Sequence, residues 1–400
     1  MPEAVIVATG RTPIGRAFKG SLKDCRPDDL AALAIKEVVA KVPALDPGEI
    51  EDIILGCGQP AGEAGFNIAR VAALLAGIDA PGITVNRYCS SSLNSIRFAA
   101  HAIKAGEGDV FVAAGVETSS RFVNGMADDG PKNPLYAEAG ERTDKRGAGE
   151  GGDWAPLEGL PDIYIAMGQT AENVAEYEGV SREEMDEYAA RSQRLAVAAQ
   201  ERGFFDREII PVTTPDGTVV TKDDGPRPGT TVEKLAALQP AFKPNGKVTA
   251  GNACPLNDGA AAVVVMSDER ANALGLTPLA RIISSGVSAL NPEIMGLGPI
   301  EASRQALARA GLTIEQIDQI EINEAFAAQI LPSAKHLGID IERQLNPNGG
   351  AIALGHPFGM TGARIMTTLI NGLEDTGGRY GLETMCVGGG QGLAMIIERL

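Results

Sequence analysis

The spacing of apolar residues alternates along the chain between strand-like runs and helical periods. Short apolar and β-branched runs predict strands at 4–8, 50–55, 83–85, 109–114, 247–250 and 260–266. Apolar residues at helical spacing lie at 30–39, 67–76 and 93–103. Strands that alternate with helices predict an α/β fold with a mainly parallel sheet and crossover connections.

The alternation stops near Ser119. Residues 119–161 are rich in glycine, proline and mixed charge, and two helices follow, the second with the capping-box pattern Ser181–Glu184. That helix is predicted to end at Gly203, and polar chain continues to Pro244. A segment of about 130 residues is too long for a simple loop, so it predicts an inserted, lid-like subdomain.

Two parts of the chain carry a similar strand. Residues 50–56 (IEDIILG) resemble residues 317–323 (IDQIEIN), and the same offset takes Cys89 to His356. This internal similarity predicts a duplicated fold. The turns that hold Cys89 and His356 then occupy equivalent positions, and they meet if the two halves pack about a pseudo-two-fold axis.

Composition narrows the classes of partner. The formal charge of −17 disfavours nucleic acids and anionic membranes, but it allows a small anion in a local basic pocket. No apolar run approaches the ~18 residues of a membrane span, and no basic presequence opens the chain. Five scattered cysteines predict reduced thiols. These features together predict a soluble cytoplasmic protein.

Cys89 lies where a predicted strand gives way to a helix. The hydroxyls of Ser90, Ser91 and Ser92 are predicted N-caps. Unpaired N–H groups and the helix dipole favour an anion at such a turn. We expect them to lower the pKa of the thiol into the range of about 3.5–7.5 found for reactive cysteines. The alternative is a small buried hydrophobe.

His356 is the second candidate for chemistry. It lies in a frame of glycine and proline, residues 349–359 (GGAIALGHPFG), which would hold the ring firmly enough to act as a base. The other two histidines, His101 and His336, lie in helical stretches and are predicted to be surface or packing residues.

Four motifs resemble those of the thiolases, the acetyl-CoA acetyltransferase and 3-ketoacyl-CoA thiolase family. They are 86–93 (NRYCSSSL), 249–252 (TAGN) with 257–259 (NDG), 323–326 (NEAF), and the loops around His356 and Cys386. The resemblance implies a duplicated α-β-α-β-α layered fold with an inserted loop domain over the coenzyme A site. The implied division is 1–120 completed by 247–275, then 121–246 for the loop domain, and 276–400 for the second half.

The resemblance also implies roles for individual residues. Cys89 is the acylated nucleophile, His356 its base, and Cys386 the acid and base at the substrate α-carbon. Asn323 with His356 corresponds to one oxyanion hole, and the backbone N–H groups of Cys89 and Gly388 correspond to a second. The implied substrate-binding residues are Met167, Arg227, Ala250, Cys254, Met295 and Phe326.

Coenzyme A and acyl-CoA are the implied substrates, without a permanently bound cofactor or metal, in a homodimer or homotetramer. Three positions depart from the family pattern. Ser92 replaces a glycine, Cys254 a serine, and Ala166 the histidine of acetoacetyl-specific enzymes. Ala166 suggests a roomier acyl pocket, so the acyl-chain preference stays open.

Three other functions stay open. A decarboxylating ketoacyl synthase of the same fold would show two active-site histidines, whereas this chain has Asn323 and a second thiol, Cys386. A non-catalytic lipid-binding relative would not need the complete set of catalytic groups. A cysteine hydrolase would need a positioned water, and nothing in the sequence provides for one.

Overall fold

The computed structural model describes residues 2–127, 130–150, 152–156 and 158–400. Its strands are β1 (Ala4–Arg11), β2 (Gly15–Arg16), β3 (Asp52–Cys57), β4 (Gly82–Val85), β5 (Val110–Thr118), β6 (Val212–Thr213), β7 (Val219–Val220), β8 (Asn257–Ser267), β9 (Ala280–Ala289), β10 (Gln319–Ile322), β11 (Tyr380–Val387) and β12 (Gln391–Arg399). Its helices are α1 (Pro27–Ala40), α2 (Ile68–Leu75), α3 (Ser91–Ala105), α4 (Ala137–Gly147), α5 (Met167–Tyr177), α6 (Arg182–Glu201), α7 (Val232–Ala236), α8 (Asp268–Ala273), α9 (Gly298–Ala310), α10 (Ala327–Leu337), α11 (Ala351–Leu354) and α12 (Thr361–Thr376). Within these described ranges, no helix combines the length and the apolar character needed to cross a bilayer.

The long strands form one mixed sheet in the order β10-β11-β12-β9-β1-β8-β5-β3-β4. In the described part of the chain, only β10–β11, β3–β4 and β3–β5 pair in parallel. The prediction of a mainly parallel sheet is therefore wrong. Strands β8, β9 and β12 enter the middle of the sheet antiparallel to their neighbours. The tight turn 388–390 joins β11 to β12 directly, and such a turn can connect only antiparallel strands.

Three apolar clusters separate the layers of the fold. The first joins α1 and α2 to one face of β1, β3, β5 and β8. The second lies in the centre, where α3 and α12 pack between the two halves of the sheet. The third joins α5, α9 and α10 to the outer face of β10, β11 and β12. Helix and sheet layers therefore alternate, which confirms the predicted duplicated α-β-α-β-α arrangement.

The two central helices begin at the turns that carry the candidate chemistry. Helix α3 follows Cys89, and α12 follows His356. The helices pack together at their N-terminal ends, where a Cβ atom on Gly362 would overlap the backbone of Leu93. The central layer therefore brings the cysteine-bearing half and the histidine-bearing half together.

The chain between β5 and β8 forms an insertion that contains α4–α7 and the small hairpin β6–β7. Helix α6 begins with the predicted capping box, in which Ser181 and Glu184 exchange hydrogen bonds. After the insertion, β8 pairs with β1 and β5 and so returns to the sheet of the first half. This pairing supports the predicted division at 121–246 and 276–400, which stays a prediction.

The predicted strand at 247–250 is wrong. Thr249 forms a single isolated bridge with Pro240. The N–H groups of Lys247 and Val248 donate to the buried carboxylate of Glu172, at 2.9 and 2.8 Å. Because a side chain takes these donors, the segment does not need a neighbouring strand to satisfy its backbone.

Candidate active site

Cys89 lies in a single 3₁₀ turn between β4 and α3. The predicted N-capping is wrong, because the hydroxyls of Ser90 and Ser91 donate to the carbonyls of Arg87 and Tyr88, at 3.2 and 2.7 Å. Tyr88 has a φ of +41°, which L-residues rarely adopt. The serines therefore close the turn around Cys89 instead of capping the helix.

Ser92, the departure nearest to Cys89, has a different role. Its hydroxyl accepts a hydrogen bond from the N–H of Ala363 at 2.9 Å. Ala363 belongs to α12 and Ser92 to α3. A serine at this position therefore links the two central helices, which a glycine could not do.

The thiol of Cys89 is buried. Burial raises its pKa to about 11, because desolvation disfavours the thiolate. The predicted lowering is therefore wrong for the resting site. The N–H groups of Gly388 and of Cys89 itself donate to the sulfur and favour the thiolate, but they offset burial only in part. The thiol needs an adjacent base before it can act as a nucleophile.

His356 is buried and held from several sides. Its backbone N–H donates to Asn257 at 2.9 Å, and its ring packs edge-on against Phe358. Ring Nδ1 lies 2.6 Å from the Thr361 hydroxyl, which donates its own proton to the carbonyl of Pro357. The hydroxyl can therefore only accept from the ring. This places the ring proton on Nδ1 and leaves Nε2 as the basic atom.

The imidazole is neutral in the resting site. Burial and the nearby Arg364 guanidinium lower the pKa of His356 to about 3. Nε2 lies 3.3 Å from the amide nitrogen of Asn323. The amide oxygen of Asn323 is buried and has no hydrogen-bond partner among the described residues. The amide oxygen of Asn323 can therefore accept a hydrogen bond from a water and orient that water beside the imidazole.

Cys386 lies near the end of β11 and is fully buried. Burial raises the pKa of its thiol, and negative charge on Cys89 or Cys254 would raise it further. The three thiols are therefore close enough to interact electrostatically. All five cysteines lie in the described ranges and are free, as the composition predicts.

An apolar wall lies beside Cys386. Met295 and Phe326 belong to the same apolar cluster as this thiol, and Met167 and Cys254 pack against that cluster. Phe242, which the sequence analysis missed, packs edge-on against Phe326 with ring centroids 6.2 Å apart. The structure thus groups Cys386 and Cys254 with the predicted acyl-pocket residues, whereas Cys89 belongs to the central cluster.

Arg227 and Ala250 are exposed and do not belong to this wall. The N–H of Arg227 donates to the buried side chain of Gln193 at 2.8 Å, which fixes the loop that carries Arg227. Their contacts with coenzyme A stay predictions. His101 and His336 are exposed, as predicted.

The sequence analysis also missed Asn257, Thr361 and Glu117. The first two fix the backbone and the ring of His356, and Glu117 accepts a hydrogen bond from the N–H of Gly359 in the same loop, at 3.0 Å. Asn257 belongs to a motif visible in the sequence, at 257–259. The sequence does not show, however, that this motif faces a loop about a hundred residues later, because that contact depends on the tertiary fold.

Comparisons with known proteins cover the whole chain. The family model "Thiolase, N-terminal domain" matches residues 4–269, and "Thiolase, C-terminal domain" matches residues 276–399. A 3-oxoadipyl-CoA/3-oxo-5,6-dehydrosuberyl-CoA thiolase of Escherichia coli (strain K12) is 46% identical, with 100% of both chains covered. A 3-ketoacyl-CoA thiolase of Aeromonas hydrophila is 45% identical over the same shares.

The fold also resembles a solved structure. The crystal structure of an acetyl-CoA acetyltransferase of Bacillus anthracis matches with a TM-score of 0.87 and 42% sequence identity. The match covers 100% of this chain and 99% of that chain. Sequence and fold therefore point to the same family.

Proposed function

Since this chain belongs to the thiolase family and is an acyltransferase, we propose that Cys89 carries the acyl group that passes between coenzyme A and a second acyl-CoA. The observation that carries this proposal is the position of Cys89 at the junction of the two halves, where Gly388 of the other half packs so closely that an added Cβ atom would lie 3.3 Å from the ring of Tyr88. Full-length matches to curated thiolases argue against a ketoacyl synthase, a cysteine hydrolase or a non-catalytic relative.

The first step acylates Cys89. The thiol proton passes to Nε2 of His356, and the sulfur attacks the thioester carbonyl. The N–H groups of Cys89 and Gly388 donate hydrogen bonds to the developing oxyanion and stabilise it. His356 then gives this proton to the sulfur of coenzyme A, which leaves as a thiol. The enzyme thioester has nearly the energy of acyl-CoA, so the step is reversible.

The second step forms or breaks the carbon–carbon bond. Cys386 first gives its thiol proton to Nε2 of His356, and the resulting thiolate takes the α-proton of acetyl-CoA. While Nε2 of His356 carries this proton, its N–H and a water held by the Asn323 amide donate to the enolate oxygen and stabilise it. The enolate then attacks the acyl carbonyl on Cys89, whose sulfur leaves as a thiolate and takes the proton from His356. In the thiolytic direction, Cys386 returns the proton to the departing acetyl-CoA carbon. Coenzyme A and acyl-CoA are the proposed partners, without a permanently bound cofactor.

We further propose that the preferred substrates are 3-ketoacyl-CoA thioesters longer than acetoacetyl-CoA. The relatives described above are named for 3-oxoadipyl-CoA and 3-ketoacyl-CoA. Ala166 supports this preference, because its small side chain precedes Met167 at the apolar wall, where acetoacetyl-specific enzymes carry a histidine. Whether the chain acts mainly in synthesis or in degradation depends on the pathway around it.

Thiolysis of a 3-ketoacyl-CoA series tests this preference. We expect kcat/KM for 3-ketoacyl-CoA thioesters with longer alkyl chains to exceed that for acetoacetyl-CoA by at least about tenfold, since each added apolar group can gain binding in a hydrophobic pocket. Ala166→His is the matched variant, and it should reverse the preference by filling the pocket. Turnover confined to acetoacetyl-CoA would contradict the proposal.

We propose that the protein is a homodimer and that strand β4 lies in the interface. β4 forms the edge of the sheet, and apolar side chains are exposed around it. We define the β4 surface as Phe66, Leu74, Leu75 and Ile83. The side chain of Phe66 is 96% exposed, and its φ of +55° is costly for an aromatic residue. An apolar edge strand is a template for pairing, and a two-fold axis would place this surface on both copies.

Replacing Phe66 by serine should raise the dimer dissociation constant by at least about tenfold, because exposed aromatic anchors carry much of an interface's binding energy. Sedimentation velocity over a range of protein concentrations measures this change. Val219→Ser, which removes a 58% exposed side chain on β7, is the control and should leave the dimer intact. A monomeric wild-type protein, or an unchanged Phe66→Ser dimer, would contradict the proposed interface.

We propose a cytoplasmic location. The free thiols of all five cysteines, which lie within the described ranges, fit a reducing compartment. The net charge of −17 supports neither a nucleic-acid partner nor an anionic membrane partner.

A further inference from the structure

Glu117 is a buried carboxyl group that the mechanism above does not use. It lies near the C-terminal end of β5, and only 1% of its surface is exposed. One of its oxygens, Oε2, accepts hydrogen bonds from the N–H of Gly58, at 2.9 Å, and from the N–H of Gly359, at 3.0 Å. Gly58 follows β3 in the first half, whereas Gly359 belongs to the loop of His356 in the second half. A single carboxylate oxygen therefore joins the two halves beside the site.

The backbone around Glu117 is packed too closely for side chains. A Cβ atom on Gly58 would lie 2.7 Å from Oε2 of Glu117 and 3.0 Å from the Cβ of Phe358. A Cβ atom on Gly359 would overlap the carbonyl of Val116. The glycines let the histidine loop approach the strand ends directly, and this approach is what brings Gly359 within hydrogen-bonding distance of Glu117.

Two side chains of the first half hold opposite ends of the histidine loop. Asn257 accepts from the N–H of His356 at its start, and Glu117 accepts from the N–H of Gly359 at its end. The ring of Phe358, between them, packs edge-on against His356. Glu117 lies on β5 and Asn257 on the neighbouring strand β8, both in the half that carries Cys89, so both anchors fix the histidine relative to the cysteine.

We propose that Glu117 is a positioning residue that sets the alignment of His356 with Cys89 across the junction of the two halves. The inference rests on the proposed roles of Cys89 and His356. Removal of the acceptor frees the end of the loop, so the imidazole loses its alignment with the thiol. A shift of about 1 Å in such an alignment costs roughly 100-fold in rate, although substrate binding hardly changes.

Burial raises the pKa of Glu117 to about 7, so the group is not held permanently as a carboxylate. Its other oxygen, Oε1, is buried without a hydrogen-bond partner among the described residues. An acceptor oxygen at Oε2 is therefore the feature that the loop needs, more than a charge. This predicts that glutamine, which keeps one acceptor oxygen, substitutes for glutamate.

The test compares Glu117→Ala with Glu117→Gln in the full-length protein. Quenched-flow measurement of coenzyme A release gives the acylation rate constant and the KM for the acyl-CoA donor. A second readout is the rate at which iodoacetamide alkylates Cys89. This rate is measured from the mass of the peptide that contains Cys89. We expect Glu117→Ala to lower acylation about 100-fold with KM within about threefold, and to slow alkylation. Glu117→Gln should keep both rates within about threefold of wild type.

Glu172→Ala is the matched control, since Glu172 is also a buried carboxylate that accepts two backbone N–H bonds. It should lower the melting temperature without lowering the acylation rate constant more than about threefold. If Glu117→Ala does not fold, Glu117→Asp replaces it in the test. The shorter side chain of aspartate cannot reach the N–H groups of both Gly58 and Gly359, so we expect the same loss in the acylation rate constant.

Three results would overturn the proposal. They are an acylation rate in Glu117→Ala or Glu117→Asp within about fivefold of wild type, a Glu117→Gln protein as slow as these variants, and an equal loss in Glu172→Ala. A wild-type protein that releases no coenzyme A would instead count against the proposed function. The alkylation rates of Cys89 would then still decide whether Glu117 sets the alignment.

Discussion

Replacing Cys89 by alanine is expected to lower thiolytic turnover by at least about 10⁴-fold, because no other group can carry the acyl intermediate. The other two thiols of the site do not substitute for Cys89. Cys386 is more deeply buried, and the Gly388 N–H bond that favours the thiolate is made to Cys89. Steady-state cleavage of a 3-ketoacyl-CoA by coenzyme A measures the loss.

The same variant must remain folded for the result to have meaning. Alanine removes one buried sulfur, so the melting temperature should fall by only a few degrees. Cys25→Ala is the control, since Cys25 is a buried thiol outside the site and should keep full turnover. Turnover in Cys89→Ala above about 1% of wild type would show that the acyl group travels by another route.

Replacing Cys386 by alanine is expected to separate the two chemical steps. Acylation of Cys89 needs His356 and the backbone donors, so a burst of one coenzyme A per protomer should remain. Proton transfer at the α-carbon needs Cys386, so steady-state turnover in either direction should fall by about 10²–10⁴-fold. Stopped-flow detection of free coenzyme A, followed by steady-state assay, measures both steps on one sample.

Loss of the burst in Cys386→Ala would mean that this thiol acts in acylation, or that its removal disturbs Cys89. The two explanations are distinguishable by alkylation of Cys89 with iodoacetamide. An unchanged alkylation rate would assign Cys386 to the acylation step and would contradict the roles proposed here.

The periodic parts of the fold could be predicted from the sequence. The capping box at Ser181–Glu184 is local, and it forms as expected. The duplication follows from a repeat in the sequence, and the five layers were implied by the resemblance to the thiolases. The strand directions could not be predicted, because β8 and β12 find their neighbours through contacts across the whole chain. Residues 247–250 have a strand-like composition, but the carboxylate of Glu172, 75 positions earlier, takes a backbone donor of this segment.

The residues of the candidate site could be predicted from the sequence, but the pKa of the Cys89 thiol could not. Cys89, His356, Asn323 and Cys386 could be found from motifs, and the structure places them in buried positions at the junction of the halves. The thiol's pKa was predicted in the wrong direction, since the helix N-terminus acts locally whereas burial depends on the second half of the chain. Glu117 carries no motif of its own, so only the structure shows its contact with the histidine loop.

The pKa values of Cys89 and His356 shift in opposite directions, and these shifts determine the charges of the resting site. The thiol of Cys89 has a raised pKa and the imidazole of His356 has a lowered pKa, so both groups are neutral at rest. We expect a bound thioester, with its carbonyl at the N–H groups of Cys89 and Gly388, to favour transfer of the thiol proton to His356 and so to generate the nucleophile.

The central claim, that Cys89 carries the acyl group, is tested most directly by mass. The wild-type protein is incubated with acetyl-CoA without a second substrate, quenched in acid and mapped by peptide mass spectrometry. The account predicts one acetyl group per protomer on the peptide that contains Cys89, and none in Cys89→Ala. An unmodified Cys89 peptide, or an acetyl group on Cys254 or Cys386 instead, would contradict it.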